Sequence, residues 1–214
     1  MEDFILLDFL RNTDPYDLGG RKLRQFCDNN KGWHYAHGAT RHCLWTDDGD
    51  EVIKFDRNYE NQPYCHREYE NYCKAREYRV QQVLLPIQPY EEVNGWFLYH
   101  QKKFQSGWYG MAREEKVKLR HTYSKYTSHN LLRKVNDKMY GCIDDFWLAR
   151  CIQLYGKKFI ASFAEWTMTC QIGDLHDGNI GMYDNRPVLL DYAGYFGTSW
   201  QGNGNWKVET NLPF

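Results

Sequence analysis

The chain has 214 residues, of which 42% are hydrophobic, so it can form one compact unit with a core or two small lobes. Its formal net charge of −1 gives no overall field that would recruit nucleic acid, and its 17% of aromatic residues is better explained by core packing than by base stacking. The seven cysteines occur singly with no C-x-x-C pair, which indicates reduced thiols rather than a disulfide framework or a zinc site.

The N-terminal region is predicted to be helical. Residues 2–10 suit a short helix that ends at the turn-forming residues 12–15, and residues 18–29 suit a second helix. The first residues lack the basic region of a signal peptide, and no run in the chain approaches the roughly 20 apolar residues of a membrane span. We therefore expect a cytoplasmic protein without a membrane partner.

A β-rich segment follows. Residues 33–56 are predicted to form two strands joined by the turn Asp-Asp-Gly-Asp at 47–50. Gly38 lies in the first strand region, where a backbone could closely approach a ligand. Lys54 lies in the second strand and would, taken alone, be an ordinary solvated lysine. Only the elements that follow it favour a functional role.

The next segment combines a helix and a hairpin. Residues 63–79 are predicted to form a helix with a semi-apolar face, and this helix carries Glu68 and Glu70. Residues 80–90 and 96–104 are predicted to form two strands around an Asn-Gly turn. The order is therefore a strand with a lysine, a helix with a carboxylate, and two further strands.

A basic segment begins the second half of the chain. Residues 113–138 contain eight Lys or Arg against three acids, which is typical of a solvated helix pair but would also suit a docking surface for an acidic protein substrate or nucleic acid. Residues 142–155 and 157–170 are predicted to form two helices. The second has residues at core spacing, namely Phe159, Ile160, Phe163, Ala164, Trp166 and Thr167.

Three oxygen-bearing side chains stand out near the C-terminus. Residues 173–180 read Gly-Asp-Leu-His-Asp-Gly-Asn-Ile, with Asp174 five residues before Asn179, and Asp191 follows twelve residues later at the end of an apolar run. Phosphoryl transfer from ATP needs one carboxylate that accepts the proton of a hydroxyl, and an amide and a second carboxylate that hold metal ions. A plain turn would also be rich in these residue types, but the apolar strand ending in Asp191 favours the chemical interpretation.

The D-L-H-x-G-N pattern and the later aspartate resemble the protein-kinase-like superfamily, whose catalytic loop reads D-x-x-x-x-N before a D-F-G. This form is similar to aminoglycoside and choline kinases and to small kinases encoded by bacteriophages. The chain departs from the pattern in reading Asp-Tyr-Ala-Gly at 191–194, and in having Ile172 where H-R-D has its His.

The resemblance implies an α+β, bilobal protein-kinase-like fold. It places a β-rich N-lobe at residues 1–104 and a truncated, mostly helical C-lobe at residues 105–214. Because only 23 residues follow Asp191, we expect no long activation segment.

The resemblance also implies a catalytic centre that uses ATP and Mg²⁺. Asp174 would orient the substrate hydroxyl, and His176 would lie near the γ-phosphate. Asn179 and Asp191 would hold Mg²⁺.

Nucleotide binding is expected to depend on the first lobe. Lys54 would contact the phosphates and be held by Glu68, with Glu70 as the alternative. Four further residues are expected to border the nucleotide: Gly38, Thr40, Tyr99 and Gln101. The single Gly38 replaces the usual G-x-G-x-x-G.

These implications lead to one expected function and two alternatives. We expect a small Ser/Thr protein kinase of phage or bacterial type that acts on host proteins in the host cytoplasm. The first alternative is a kinase-like module that binds and inhibits a host protein, and the second is a small-molecule kinase. The presence of Lys54, Asp174, Asn179 and Asp191 together favours catalysis.

Overall fold

The computed structural model describes residues 2–58, 63–103, 114, 117–118, 121, 145–172, 175 and 177–193. In this part of the chain the protein is mixed α+β. It has a five-stranded antiparallel sheet, a separate two-stranded hairpin and five helices. Two compact units are present: the first comprises residues 1–70 and 86–103, and the second comprises residues 71–85 and 104–214.

The elements follow in chain order. The helices are α1 (Glu2–Arg11), α2 (Gly20–Asn29), α3 (Pro63–Lys74), α4 (Asp145–Tyr155) and α5 (Lys158–Thr169). The strands are β1 (Trp33–His37), β2 (Arg41–Thr46), β3 (Glu51–Asp56), β4 (Ile87–Val93), β5 (Trp96–Lys102), β6 (Ile180–Tyr183) and β7 (Arg186–Leu189). Short 3₁₀ turns occur at Pro15–Asp17, Gln81–Val83 and Asp177–Asn179.

The sheet of the first unit has the strand order β1-β2-β3-β5-β4, and all of its neighbours are antiparallel. The prediction of two strands over residues 33–56 is wrong, because three are present. The small residues Gly38, Ala39 and Thr40 form an additional turn, which the N–H of Gly38 closes by donating to the carbonyl of Arg41 at 3.0 Å. This turn divides the first predicted strand into β1 and β2.

One face of the sheet is apolar and packs against α1 and α2. Strand alternation places every second side chain on this face. The core that results contains Leu6, Leu10, Leu23, Phe26, Leu44, Ile53, Phe55, Trp96 and Leu98, all 4% exposed or less. Burial of a side chain of this size contributes about 1.5–3 kcal/mol, so this face supplies most of the stability of the first unit.

The hairpin of β4 and β5 also anchors α1. Asn94 and Gly95 have φ values of +47° and +80°, as a two-residue type I′ turn requires, and the predicted Asn-Gly turn is confirmed. The Asn94 amide donates to the carbonyls of Leu10 and Arg11 at 2.9 and 3.0 Å. It thereby satisfies two of the acceptors that a helix leaves open at its C-terminus.

The second unit is built around α4, α5 and the β6–β7 hairpin. The predicted core face of α5 is confirmed, since all six of its predicted residues are buried. The Trp147 indole donates to the carbonyl of Val188 at 3.2 Å, and the N–H of Leu85 donates to the carbonyl of Leu189 at 2.9 Å. These bonds fix β7, the strand that leads to Asp191.

Helix ends account for the other differences from the predicted elements. The predicted helix over residues 63–79 is shorter, because residues 75–79 form turns that end at Arg79 with φ +57°. The predicted strand over residues 80–90 begins only at Ile87, because a 3₁₀ turn precedes it. In the described ranges, no helix has the length and apolarity to cross a membrane.

Candidate functional site

The second face of the five-stranded sheet carries buried polar side chains. Arg41 lies opposite Asp56, and Lys54 lies opposite Tyr99, so strand alternation turns all four to this face. These residues, together with Glu68 of α3 and Gln101, are 9% exposed or less. Buried charges need partners, and the geometry of the face supplies them.

Lys54 lies on the central strand of the sheet. Its Nζ donates to Oε1 of Gln101 at 2.5 Å, and Gln101 is itself buried. The structure therefore brings together two residues that the sequence predicted to border the nucleotide. The lysine stem is held against the sheet, and the ammonium group has an amide oxygen as one acceptor.

Glu68 is the carboxylate that α3 presents to this polar face. It is fully buried, accepts a hydrogen bond from the Tyr99 hydroxyl at 2.7 Å and pairs with the guanidinium of Arg41. Glu70, the alternative partner for Lys54, is exposed. Burial thus favours Glu68 over Glu70, while the pairing of Glu68 with Lys54 stays a prediction.

Sequence reasoning missed Arg41. It is 5% exposed and donates to the Tyr99 hydroxyl at 3.3 Å, in addition to its ion pair with Glu68. The available signal was the strand period. Once β2 is recognised as a separate strand antiparallel to β3, alternation places Arg41 on the same face as Lys54.

Asp56 fixes the start of α3. Its Oδ2 accepts a hydrogen bond from the N–H of Cys65 at 3.2 Å, within the first turn of the helix, where N–H groups lack intrahelical partners. Burial raises the pKa of Asp56, while the Cys65 N–H and the positive charge of Arg41 act in the opposite direction. Burial likewise raises the pKa of the Cys65 thiol, which keeps it protonated and unreactive.

The turn between β1 and β2 contains Gly38 and Thr40. Arg57 holds this turn, because its guanidinium donates to the carbonyl of Gly38 at 3.0 Å and its N–H donates to that of Thr40 at 2.9 Å. A Cβ atom added at Gly38 would meet nothing within 4 Å. The protein itself therefore does not need a glycine here, and a substitution at Gly38 would report on a ligand.

In the second unit, the two predicted metal ligands are joined through the backbone. The carbonyl of Asn179 accepts a hydrogen bond from the N–H of Leu190 at 2.7 Å, which places Asn179 beside the residue preceding Asp191. Asp191 has a φ of +53°, a left-handed conformation that is strained for a residue with a side chain. Such strain concentrates at functional sites.

These ligands suit a hard cation. Mg²⁺ prefers oxygen donors and is commonly held by one or two carboxylates that leave room for phosphates and water. The Asn179 amide and the Asp191 carboxylate fit that donor set. Among the described residues, no group of three His, Cys, Asp or Glu side chains forms a metal site. Asp174, His176 and Gly194 lie outside the described residues, as does most of the basic segment 113–138.

Comparison of the chain with protein-family models, with curated proteins and with solved structures found no match. The functional argument therefore depends on the residues and geometry described above.

Proposed function

We propose that the protein is an ATP- and Mg²⁺-dependent phosphotransferase with a bilobal protein-kinase-like fold. It acts as a small Ser/Thr protein kinase of phage or bacterial type on host proteins. The observation that carries the proposal is the buried lysine Lys54, held by Gln101 on a polar face that also contains Glu68. Buried ionic groups are often less stabilising than apolar residues of the same volume, so stability alone does not explain this face.

The order of elements supports the proposal. In kinases, a lysine on a strand binds the nucleotide phosphates and a glutamate on the following helix orients it. Here Lys54 lies on β3 and Glu68 lies on α3, and two further antiparallel strands follow. Both side chains belong to the same buried polar face of the first unit.

The second unit supports the metal half of the proposal. Asn179 and Asp191 are twelve residues apart in the sequence, and the hydrogen bond between Asn179 and Leu190 brings their backbones together. The strained backbone of Asp191 is consistent with a residue whose position is set by function. The proposal assigns the residues of both units to one molecule of ATP.

The chemistry that follows is positioning and charge neutralisation. The hydroxyl oxygen of a substrate Ser or Thr forms a bond to the γ-phosphorus of ATP, while the bond to the β–γ bridging oxygen breaks and ADP leaves. Asp174 accepts the hydroxyl proton, and Lys54 offsets phosphate charge. Asn179 and Asp191 would hold Mg²⁺, which supplies further positive charge when bound.

The second candidate is a kinase-like module that binds a host protein without turnover. The specific observation in its favour is the β1–β2 turn, where Gly38 is the one glycine between the strands and is open to solvent. A turn with so little glycine offers fewer close backbone contacts to phosphate. A small-molecule kinase is the third candidate, favoured by the D-L-H-x-G-N pattern.

Transfer of radiolabelled γ-phosphate from ATP with Mg²⁺ to bacterial lysate tests the proposal. Wild type should label discrete proteins, and Asp174→Ala and Lys54→Met should not. The control Lys22→Met removes a lysine whose side chain is 43% exposed, and it should label as wild type does. Nucleotide binding without labelling would indicate a small-molecule kinase. Absence of both would leave the binding module.

A further inference from the structure

Asn71 occupies an unusual place for its residue type. It lies near the C-terminal end of α3, where asparagine is a poor helix former, and it is only 3% exposed. Its amide nitrogen donates to the carbonyl of Tyr192 at 2.8 Å and lies 3.5 Å from that of Ala193. The side chain therefore grips the two residues that directly follow Asp191.

The segment around Asp191 is held on both sides. Before it, the N–H of Leu190 donates to the carbonyl of Asn179 at 2.7 Å. After it, Tyr192 is fully buried, and its hydroxyl donates to the carbonyl of Leu85 at 2.7 Å. The strained φ of +53° at Asp191 persists only if such contacts fix the neighbouring peptides. Asn71 supplies the contact closest in the chain to the C-terminal side of Asp191.

We infer that Asn71 is a positioning residue for the metal-binding Asp191. By holding the Tyr192 carbonyl, its amide fixes the backbone conformation that aims the Asp191 carboxylate. This inference rests on the proposed function, since it assumes that Asp191 binds Mg²⁺. Residues that orient a metal ligand without touching the metal typically alter metal affinity by about 10–100-fold when they are replaced.

A purely structural role makes a different prediction. If Asn71 served only to satisfy buried carbonyls, its loss would lower stability and leave the metal affinity of the folded protein unchanged. Thr167 provides the matched control. It is fully buried in the same unit, and its hydroxyl donates to the carbonyl of Ala164 at 2.9 Å. Thr167→Val removes one buried donor at nearly constant volume.

The experiment measures Mn²⁺ affinity by electron paramagnetic resonance in the presence of the non-hydrolysable ATP analogue AMP-PNP, for wild type, Asn71→Leu, Asn71→Ser and Thr167→Val. Circular dichroism sets a temperature at which each variant is folded. We expect Asn71→Leu to raise the Mn²⁺ dissociation constant by about 10-fold or more. Asn71→Ser keeps a hydroxyl donor and should fall between Asn71→Leu and wild type. Thr167→Val should lower the melting temperature only.

Two outcomes overturn the inference, and they are distinguishable. Metal-dependent analogue binding by wild type, with the same Mn²⁺ affinity in both Asn71 variants, would reduce Asn71 to a structural role and leave the proposed function intact. Absence of Mn²⁺-dependent analogue binding by wild type would remove the proposed function and this inference together. If Asn71→Leu does not fold, Asn71→Ser with unaltered affinity has the same meaning as the first outcome.

Discussion

The guanidinium of Arg41 pairs with the carboxylate of Glu68 in the interior of the first unit, where the two side chains are 6% and 0% exposed. The Tyr99 hydroxyl joins them by donating to Glu68 and accepting from Arg41. This pair connects strand β2 to helix α3, so the position of Glu68 does not depend on Lys54 alone. The pairing has consequences for both stability and activity.

Arg41→Met should destabilise the protein strongly, by about 3–5 kcal/mol, because it leaves the buried charge of Glu68 uncompensated. Urea unfolding followed by circular dichroism measures the change. Arg11→Met is the control, because its pair with Glu91 is exposed and should contribute less than about 1 kcal/mol. Adding Glu68→Gln to Arg41→Met should recover part of the loss. Equal small effects for Arg41→Met and Arg11→Met would contradict a buried pair.

Lys54→Met should abolish phosphate transfer without unfolding the protein. Methionine fills the volume of the lysine stem and removes a buried charge, so the free energy of unfolding should stay close to that of wild type. Asp174→Ala should lower turnover by about 10² or more while nucleotide binding remains. Asp191→Ala should lose both metal binding and turnover. A fully active Asp191→Ala protein would end the kinase proposal.

His42 should make the protein sensitive to acid. Burial, with the charges of Arg57 and His37 in support, lowers the pKa of His42 from 6.5 to about 4. The unfolded chain therefore takes up a proton near pH 6.5, whereas the folded protein does so only near pH 4. Stability should be complete above pH 6.5 and fall as the pH approaches 4, by about 3 kcal/mol in total.

The variant His42→Phe isolates this effect. It removes the titrating group beside the Phe55 ring, which lies 5.1 Å from the imidazole, and it should flatten the dependence of unfolding free energy on pH between 4 and 6.5. Replacement of the exposed His66 by Gln should leave the wild-type slope. A His42→Phe protein that retains that slope would show that carboxylates, and not His42, cause it.

Much of the fold could be predicted from local patterns, because each pattern depends on short-range chemistry. The apolar spacing of α5 gave its six buried residues, and the Asn-Gly dipeptide gave the β4–β5 turn. The turn at Gly38 was missed because Gly-Ala-Thr is a weak turn signal, and it could be recognised only when β2 paired with β3. Local signals indicate elements but not which strands become neighbours.

The candidate site divides in the same way. Lys54, Glu68, Asn179 and Asp191 could be selected because their types and spacing match a chemistry. Arg41, by contrast, acts through contacts between residues far apart in the chain: its partner Glu68 is 27 residues away, and the Tyr99 hydroxyl to which it donates is 58 residues away. No spacing rule reaches such contacts.

Gln171→Gly should stabilise the protein. Helix α5 ends in a motif in which the N–H of Gln171 donates to the carbonyl of Met168 at 3.1 Å and that of Ile172 donates to the carbonyl of Thr167 at 2.8 Å. This motif puts Gln171 at a φ of +54°, where glycine is favoured and a side chain costs about 1 kcal/mol. Thermal unfolding should show a rise in melting temperature for Gln171→Gly and none for Gln171→Ala, which keeps a Cβ atom. A loss of stability in the glycine variant would mean that the Gln171 side chain makes contacts that outweigh its strained backbone.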